Sequence, residues 1–272
     1  MTAVETKLAA ATPAMEEHGV ERRVLAIRLV TILFLVVAWE ALSHSGLFYE
    51  GVLPSIVLIA SALIYLLTDP VFYRHLAVSG TEILAGLAIG AALGVPLGIL
   101  FGSRRFLGRV VAPYVTALAT TPKIVFLPIV MLAVGIGSES KIALGALSAF
   151  FPIILSTAAG VVHVRPVHLN VGRSFNLTGW QMVRKIYLPS LVQPILTGLR
   201  LGLGVAIIGV LLGEIKLSSA GLGFLAGDFY IQYRIPYLYA VLILIFALAV
   251  AANTLMGLIA RRVGSQAPDA LR

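Results

Sequence analysis

Long apolar runs, each bounded by basic residues, constrain this chain more than any other feature of its sequence. A run of about eighteen or more apolar residues is long enough to cross the hydrocarbon core of a bilayer as a helix. Leu25–Leu42, His75–Phe101, Ile142–Val162, Gln193–Leu212 and Pro236–Ile259 each qualify. A further segment, from Arg109 to Ile136, is interrupted by Thr121-Pro122-Lys123 and again by Pro128. Non-helical backbone at membrane depth needs protein or water around it, so this segment reads as a broken span.

Composition excludes the obvious alternatives. A chain of 272 residues that is 59% hydrophobic and 12% charged is too apolar for a soluble domain. The net charge of +8 could suggest nucleic acid, but the basic residues flank apolar runs instead of forming one stripe. They fit the rule that cytoplasmic loops collect Lys and Arg. Six spans put Arg22, Arg23 and Arg28, the cluster Arg104, Arg105 and Arg109, and Arg261 and Arg262 all inside, together with both termini. Counting Ile56–Leu67 as a seventh would move the Arg104 cluster outside. That run is about a dozen residues long, shorter than a span, and reads as an interfacial helix. The expected fold is therefore an all-α integral membrane protein with about six transmembrane helices over residues 22–272. Residues 1–21 lack the basic-then-apolar order of a signal peptide and read as a mobile cytoplasmic tail.

Catalytic and metal chemistry find little support. There is no cysteine, and the five histidines are not paired with carboxylates, so no metal site is expected. The chain has no G-x-x-x-x-G-K-[ST] phosphate loop, no nucleophile elbow and no His-Glu zinc motif. No cofactor on this chain and no enzyme activity of its own are expected.

Within the spans, Gly86, Gly90, Gly94, Gly98 and Gly102 recur every fourth residue on one helix face. Small residues at that spacing let helix backbones approach closely. Gly198 with Gly202, and Gly209 with Gly213, repeat the pattern in the fifth span, whose glycine face would meet the second span or another copy of itself. Glu82 lies about two turns inside the second span, where a carboxylate requires a polar partner or a water-filled cavity. Lys123, beside the break at Pro122, would either attract an anion or pair with Glu82 or Glu214. These four residues are the candidates for a translocation pathway.

The longest polar stretch between two apolar segments is His163–Ser190. Pro166 suits a first helical turn, and Asn176 tolerates the left-handed conformation that ends a helix. Thr178 and Gln181 have capping-box spacing for a second helix, Trp180–Tyr187. Leu188-Pro189 should end it, because the residue before proline is pushed out of helical geometry. The expected product is a compact helix-turn-helix knob carrying Arg173, Arg184 and Lys185, in the cytoplasm.

The run Ile186-x-Leu188-Pro189, preceded by Trp180, Gln181, Arg184 and Lys185, resembles the cytoplasmic E-A-A loop of binding-protein-dependent ABC importer permeases. Asn170-Val171-Gly172 then stands at the family's E-A-A, and Asn176 at its glycine. Pro122-Lys123-Ile124, Pro128 and Gly135-Ile136-Gly137 followed by Ser140-Lys141 resemble the third span of the permeases for nitrate, sulfonate and taurine. Glu214 with Gly221-Leu222-Gly223-Phe224 is similar to the family's external glutamate and G-L-G-aromatic segment. The resemblance implies a type I ABC importer permease fold in a bacterial inner membrane. It implies a permease homodimer, two cytoplasmic ATPase subunits that use ATP and Mg, an extracytoplasmic substrate-binding protein and a small anionic solute. The ATPase would be met by Asn170, Arg173, Phe175 and Asn176 on one side of the turn, and by Gly179, Trp180, Arg184, Lys185, Ile186 and Pro189 on the other. An ion-gradient-driven secondary transporter is the competing class, supported by the broken span and by Glu82 and Lys123. The loop Asp228 to Arg234, with Tyr230 and Tyr233, either meets a binding protein or anchors at the interface.

Overall fold

The computed structural model describes residues 3–48 and 51–265, which are helical throughout with no strand. Both chain ends, read as cytoplasmic, lie outside the described residues. The chain divides after Ala62 into two compact units.

The first unit is dominated by α1 (Ala3–His44), which starts inside the stretch read as a tail and carries the apolar span Arg23–His44. Its far end is tied to the strap Leu53-Pro54-Ser55. The Trp39 indole N–H donates to Pro54 O at 3.1 Å, and the Ser43 hydroxyl donates to Leu53 O at 2.8 Å. Glu40 Oε2 accepts from Ile56 N at 3.0 Å, placing a negative charge at the positive start of α2 (Ile56–Thr68). At 13 residues, α2 is too short to span a bilayer.

The second unit begins at Leu63, within α2, and its first complete helix is α3 (Pro70–Ser103). Asp69 caps it by accepting from Val71 N at 2.9 Å, and Pro70, which has no N–H to satisfy, takes its first turn. α4 (Arg105–Thr120) follows, then a 3₁₀ turn Lys123–Phe126 and α5 (Leu127–Val134). The axes on either side of the break differ by 93°. Among the described residues five helices are long and apolar enough to cross a membrane, and six if the bent pair counts as one broken span. One break suffices, contrary to the expectation of two. Pro128 sits in the first turn of α5, where its missing N–H leaves no helical bond unmade.

α6 (Ser138–Val162) starts earlier than Ile142 and draws Lys141 into the fold, 3% exposed. Lys141 Nζ donates to Ile136 O and Gly137 O at 3.0 Å each, so its charge closes the turn that leads into the helix. α6 packs along α3 on one side and along α10 (Val192–Leu217) on the other. A Cβ on Gly90 would come within 2.9 Å of Ala146 O, and one on Gly98 within 2.7 Å of Thr157 Cβ. The glycines of α10 meet this same central helix, not α3: a Cβ on Gly198 would lie 3.0 Å from Ser156 Cβ, and one on Gly209 3.1 Å from Leu144 O. Ile153, fully buried, fills both grooves at once, opposite Gly94 and opposite Gly202. Around it Ile83, Leu87, Ala149, Leu203, Ala206 and Val210 form the core of the unit. Hydrophobic transfer adds little inside a bilayer, so this close contact is what holds the three helices. α11 (Leu222–Ile231) and α12 (Ile235–Ser265) complete the unit.

Candidate functional site

α7 (Pro166–Ser174) ends as its sequence suggests. Asn176 takes φ 50°, Asn176 N donates to Arg173 O at 2.9 Å, and Leu177 N donates to Gly172 O at 3.0 Å. These two bonds satisfy carbonyls that the helix end would leave bare. The next helix opens with a reciprocal capping box, Thr178 N to Gln181 Oε1 at 2.9 Å and Gln181 N to Thr178 Oγ1 at 3.4 Å. α8 (Gly179–Met182) continues as a π turn, Val183–Tyr187, into α9 (Leu188–Ser190). Leu188-Pro189 therefore does not end the helix, and Leu188 keeps helical angles of −56° and −48°. A proline ring normally collides with the carbonyl four residues back; the wider π turn just before it moves that carbonyl aside.

The two knob helices touch through Gly172, where a Cβ would meet Ile186 Cδ1 at 2.5 Å and Met182 Sδ at 2.8 Å. Sequence reasoning missed this role, although the small residue expected at that position of the loop was its signal. The base of the knob is seated on the span ends: Leu169, Val183, Ile186 and Tyr187 pack against Ile99 of α3, Val161 of α6 and Leu191. The predicted loop residues thus divide. Ile186 and Pro189 are half-buried, whereas Asn170, Arg173, Asn176, Gly179, Arg184 and Lys185 are exposed. Phe175 and Trp180, 76% and 70% exposed, are large rings that no core contact explains.

A second cluster lies far from the knob in sequence. Glu214, fully buried, accepts from Ser79 Oγ at 2.6 Å through Oε1 and from Gly223 N at 2.7 Å through Oε2. Ser79 Oγ in turn accepts from Leu222 N at 2.7 Å, and His75 Nδ1 accepts from Gly221 N at 3.0 Å. Three N–H groups at the start of α11 are thereby satisfied by side chains of α3 and α10. Gly221 has φ 111°, and a Cβ there would run into the Glu214 carboxyl, so only glycine fits. Glu82 is 2% exposed and lies carboxyl to carboxyl beside Glu214, with no other hydrogen-bond partner for its oxygens. His75 and Ser79 escaped the sequence reading, although they extend the small-residue face of α3 toward its start.

Lys123 stands apart from both carboxylates. Its Nζ donates to Ala119 O at 2.6 Å and Thr121 O at 2.8 Å, and lies 5.0 Å from the centre of the Phe151 ring. Among the described residues no carboxylate pairs with it. Ala119 O and Thr121 O lie where α4 stops, so the ammonium stabilises the break that Pro122 creates. Tyr230 and Tyr233 are exposed, and Arg234 stacks on Tyr237 at 4.0 Å.

Helices broken and packed in this way, with an exposed two-helix knob seated on three span ends, define a multi-pass membrane protein. Residues 94–265 match the family described as the binding-protein-dependent transport system inner membrane component, and the chain belongs to it. It is a permease of the ABC importer type and a multi-pass inner-membrane protein. The taurine transport system permease protein TauC of Escherichia coli is 34% identical over 59% of this chain and 60% of its own length. The nitrate import permease protein NrtB of Synechocystis is 31% identical, covering 74% and 75%. The formylaminopyrimidine transport permease protein ThiX of Halalkalibacterium halodurans is 30% identical, covering 80% and 86%. A structure of the MetNI methionine ABC transporter in an inward-facing conformation aligns with TM-score 0.63 over 76% of this chain and 98% of that one, at 20% identity. That likeness is one of fold.

Proposed function

We propose that this chain is the membrane subunit through which partner ATPases drive import of a small anionic solute of the taurine, sulfonate or nitrate kind. The observation that carries the reading is the knob: a rigid, exposed two-helix body whose base is packed on the ends of α3, α6 and α10. A groove on an ATPase that closes around Phe175 and Trp180, flanked by Arg173, Arg184 and Lys185, would push on all three core helices together. The chain itself binds no ATP; two ATPase subunits use ATP and Mg, and two permease copies and an extracytoplasmic binding protein complete the assembly. Both termini and the knob then face the cytoplasm, in keeping with the basic clusters.

The taurine and nitrate relatives support an oxyanion-bearing cargo, and the formylaminopyrimidine relative marks the alternative. Lys123, at the edge of the break, and Glu82, whose buried carboxyl has no partner besides Glu214, are the pathway residues we favour. Glu214 and Pro122 act around them by holding α11 and the bend. Family membership weighs against an ion-driven transporter.

The test is purification of the tagged chain from native membranes. A P-loop ATPase should co-purify, and Trp180→Glu with Arg184→Glu should lose it while the chain stays inserted. Uptake of radiolabelled taurine or nitrate should fall with ATP depletion. Uptake that persists in ATP-free liposomes and stops with an ionophore would replace the proposal with the ion-coupled reading.

A further inference from the structure

Arg200 lies about two turns into α10, inside an apolar span, and has no role in the knob or in the Glu214 cluster. A guanidinium at that depth is costly unless it is compensated. Its Nε donates to Asn253 Oδ1 of α12 at 2.8 Å. Among the described residues no carboxylate pairs with it, and that neutral amide is its one side-chain partner. A guanidinium has five N–H donors, arranged in a planar fork that matches an oxyanion.

The fork borders a groove of about 540 Å³ between α10 and α12, at the knob end of the spans. Its polar lining is Gln193, Thr197, Arg200, Asn253 and Arg261: two cations, two amides, one hydroxyl and no acid. Because Asn253 Oδ1 faces Arg200, its amide nitrogen remains a donor. Gly257 lies beneath the guanidinium, where an added Cβ would make ordinary contact at 3.6 Å from its central carbon. The charges in this lining are two guanidinium cations with no acid among them, in a volume well beyond one small anion, so the groove carries uncompensated positive charge.

We propose that this groove binds an oxyanion, with the Arg200 fork on two of its oxygens, Arg261 as the second charge and Asn253 fixing the fork. The same chemistry has two sources, the phosphodiester of an anionic lipid headgroup and a free sulfonate or phosphate. The site stands on groove geometry and is independent of ATPase docking.

The full chain in phosphatidylcholine nanodiscs is titrated with methanesulfonate by calorimetry. In parallel, retention of phosphatidylglycerol from mixed nanodiscs is read by native mass spectrometry. At least one arm should show binding, and which one identifies the source. Arg200→Met should weaken that binding about tenfold or more, a loss of about 1.4 kcal/mol. Arg200→Lys should keep part of it, because charge survives without the fork. Asn253→Asp should abolish it with Arg200 still present, because an internal carboxylate then occupies the fork and repels the anion. No binding in either arm, or wild-type binding by both Arg200→Met and Asn253→Asp, overturns the proposal.

Discussion

The three-helix core and the knob are both small helical assemblies, yet they are held by opposite means. In the core, α6 projects side chains into glycine grooves on α3 and α10, and Ile153 fills two grooves together. Stability there lies in backbones brought close, and every position is committed. The knob is shaped by short-range hydrogen bonds at its turn and by one glycine contact, and its large rings, Phe175 and Trp180, stay mostly exposed. Its inner surface specifies a shape, and its outer surface is available to a partner. Substitutions should therefore cost stability in the core and coupling on the knob.

The strongest way to break that distinction is at Ile153. Ile153→Ala should cost about 2–5 kcal/mol, because the cavity opens against two helices that cannot collapse further. Gly98→Leu should be comparably damaging from the other side, since its first added carbon already overlaps Thr157. Both are read as a lowered midpoint of thermal unfolding in detergent. Next, Ser79→Ala strands both Leu222 N and a Glu214 oxygen, for about 1–3 kcal/mol per group, and should loosen α11 in hydrogen exchange. On the knob, Thr178→Ala should cost about 1 kcal/mol by removing a cap. Trp180→Glu should leave the melting midpoint within about 0.5 kcal/mol of wild type, as for exposed sites generally, while abolishing ATPase recovery. Asn176→Gly sharpens the contrast most finely. It relieves the strain of φ 50° and should change stability by less than about 1 kcal/mol. A knob variant that unfolds the spans, or a core variant that loses only coupling, would merge the two regions.

What the sequence discloses follows the same division. The turn at Asn176 and the Thr178–Gln181 box are legible because donor and acceptor sit within five residues of each other, so local rules decide them. The glycine face of α3 is legible because helical period is local too. The helix that meets the glycines of α10 is not, since a groove does not record which ridge fills it. The passage of the knob helix through Pro189 was hidden because a π turn has no residue signature of its own. The partners of Lys141 are two backbone carbonyls, which carry no residue signature, and Arg200 meets Asn253 across 53 residues.

The Glu214 cluster has a consequence for how the chain is made. Ser79 emerges from the ribosome 135 residues before the carboxylate it will bind, and Gly221 to Gly223 come later still. Through most of synthesis, α3 sits in the bilayer with a hydroxyl and an imidazole unmatched. The cluster can close only once the fifth span has entered, so it works as a late latch. Chains that stall before Glu214 carry an open latch, the kind of exposed polarity that membrane quality control can recognise.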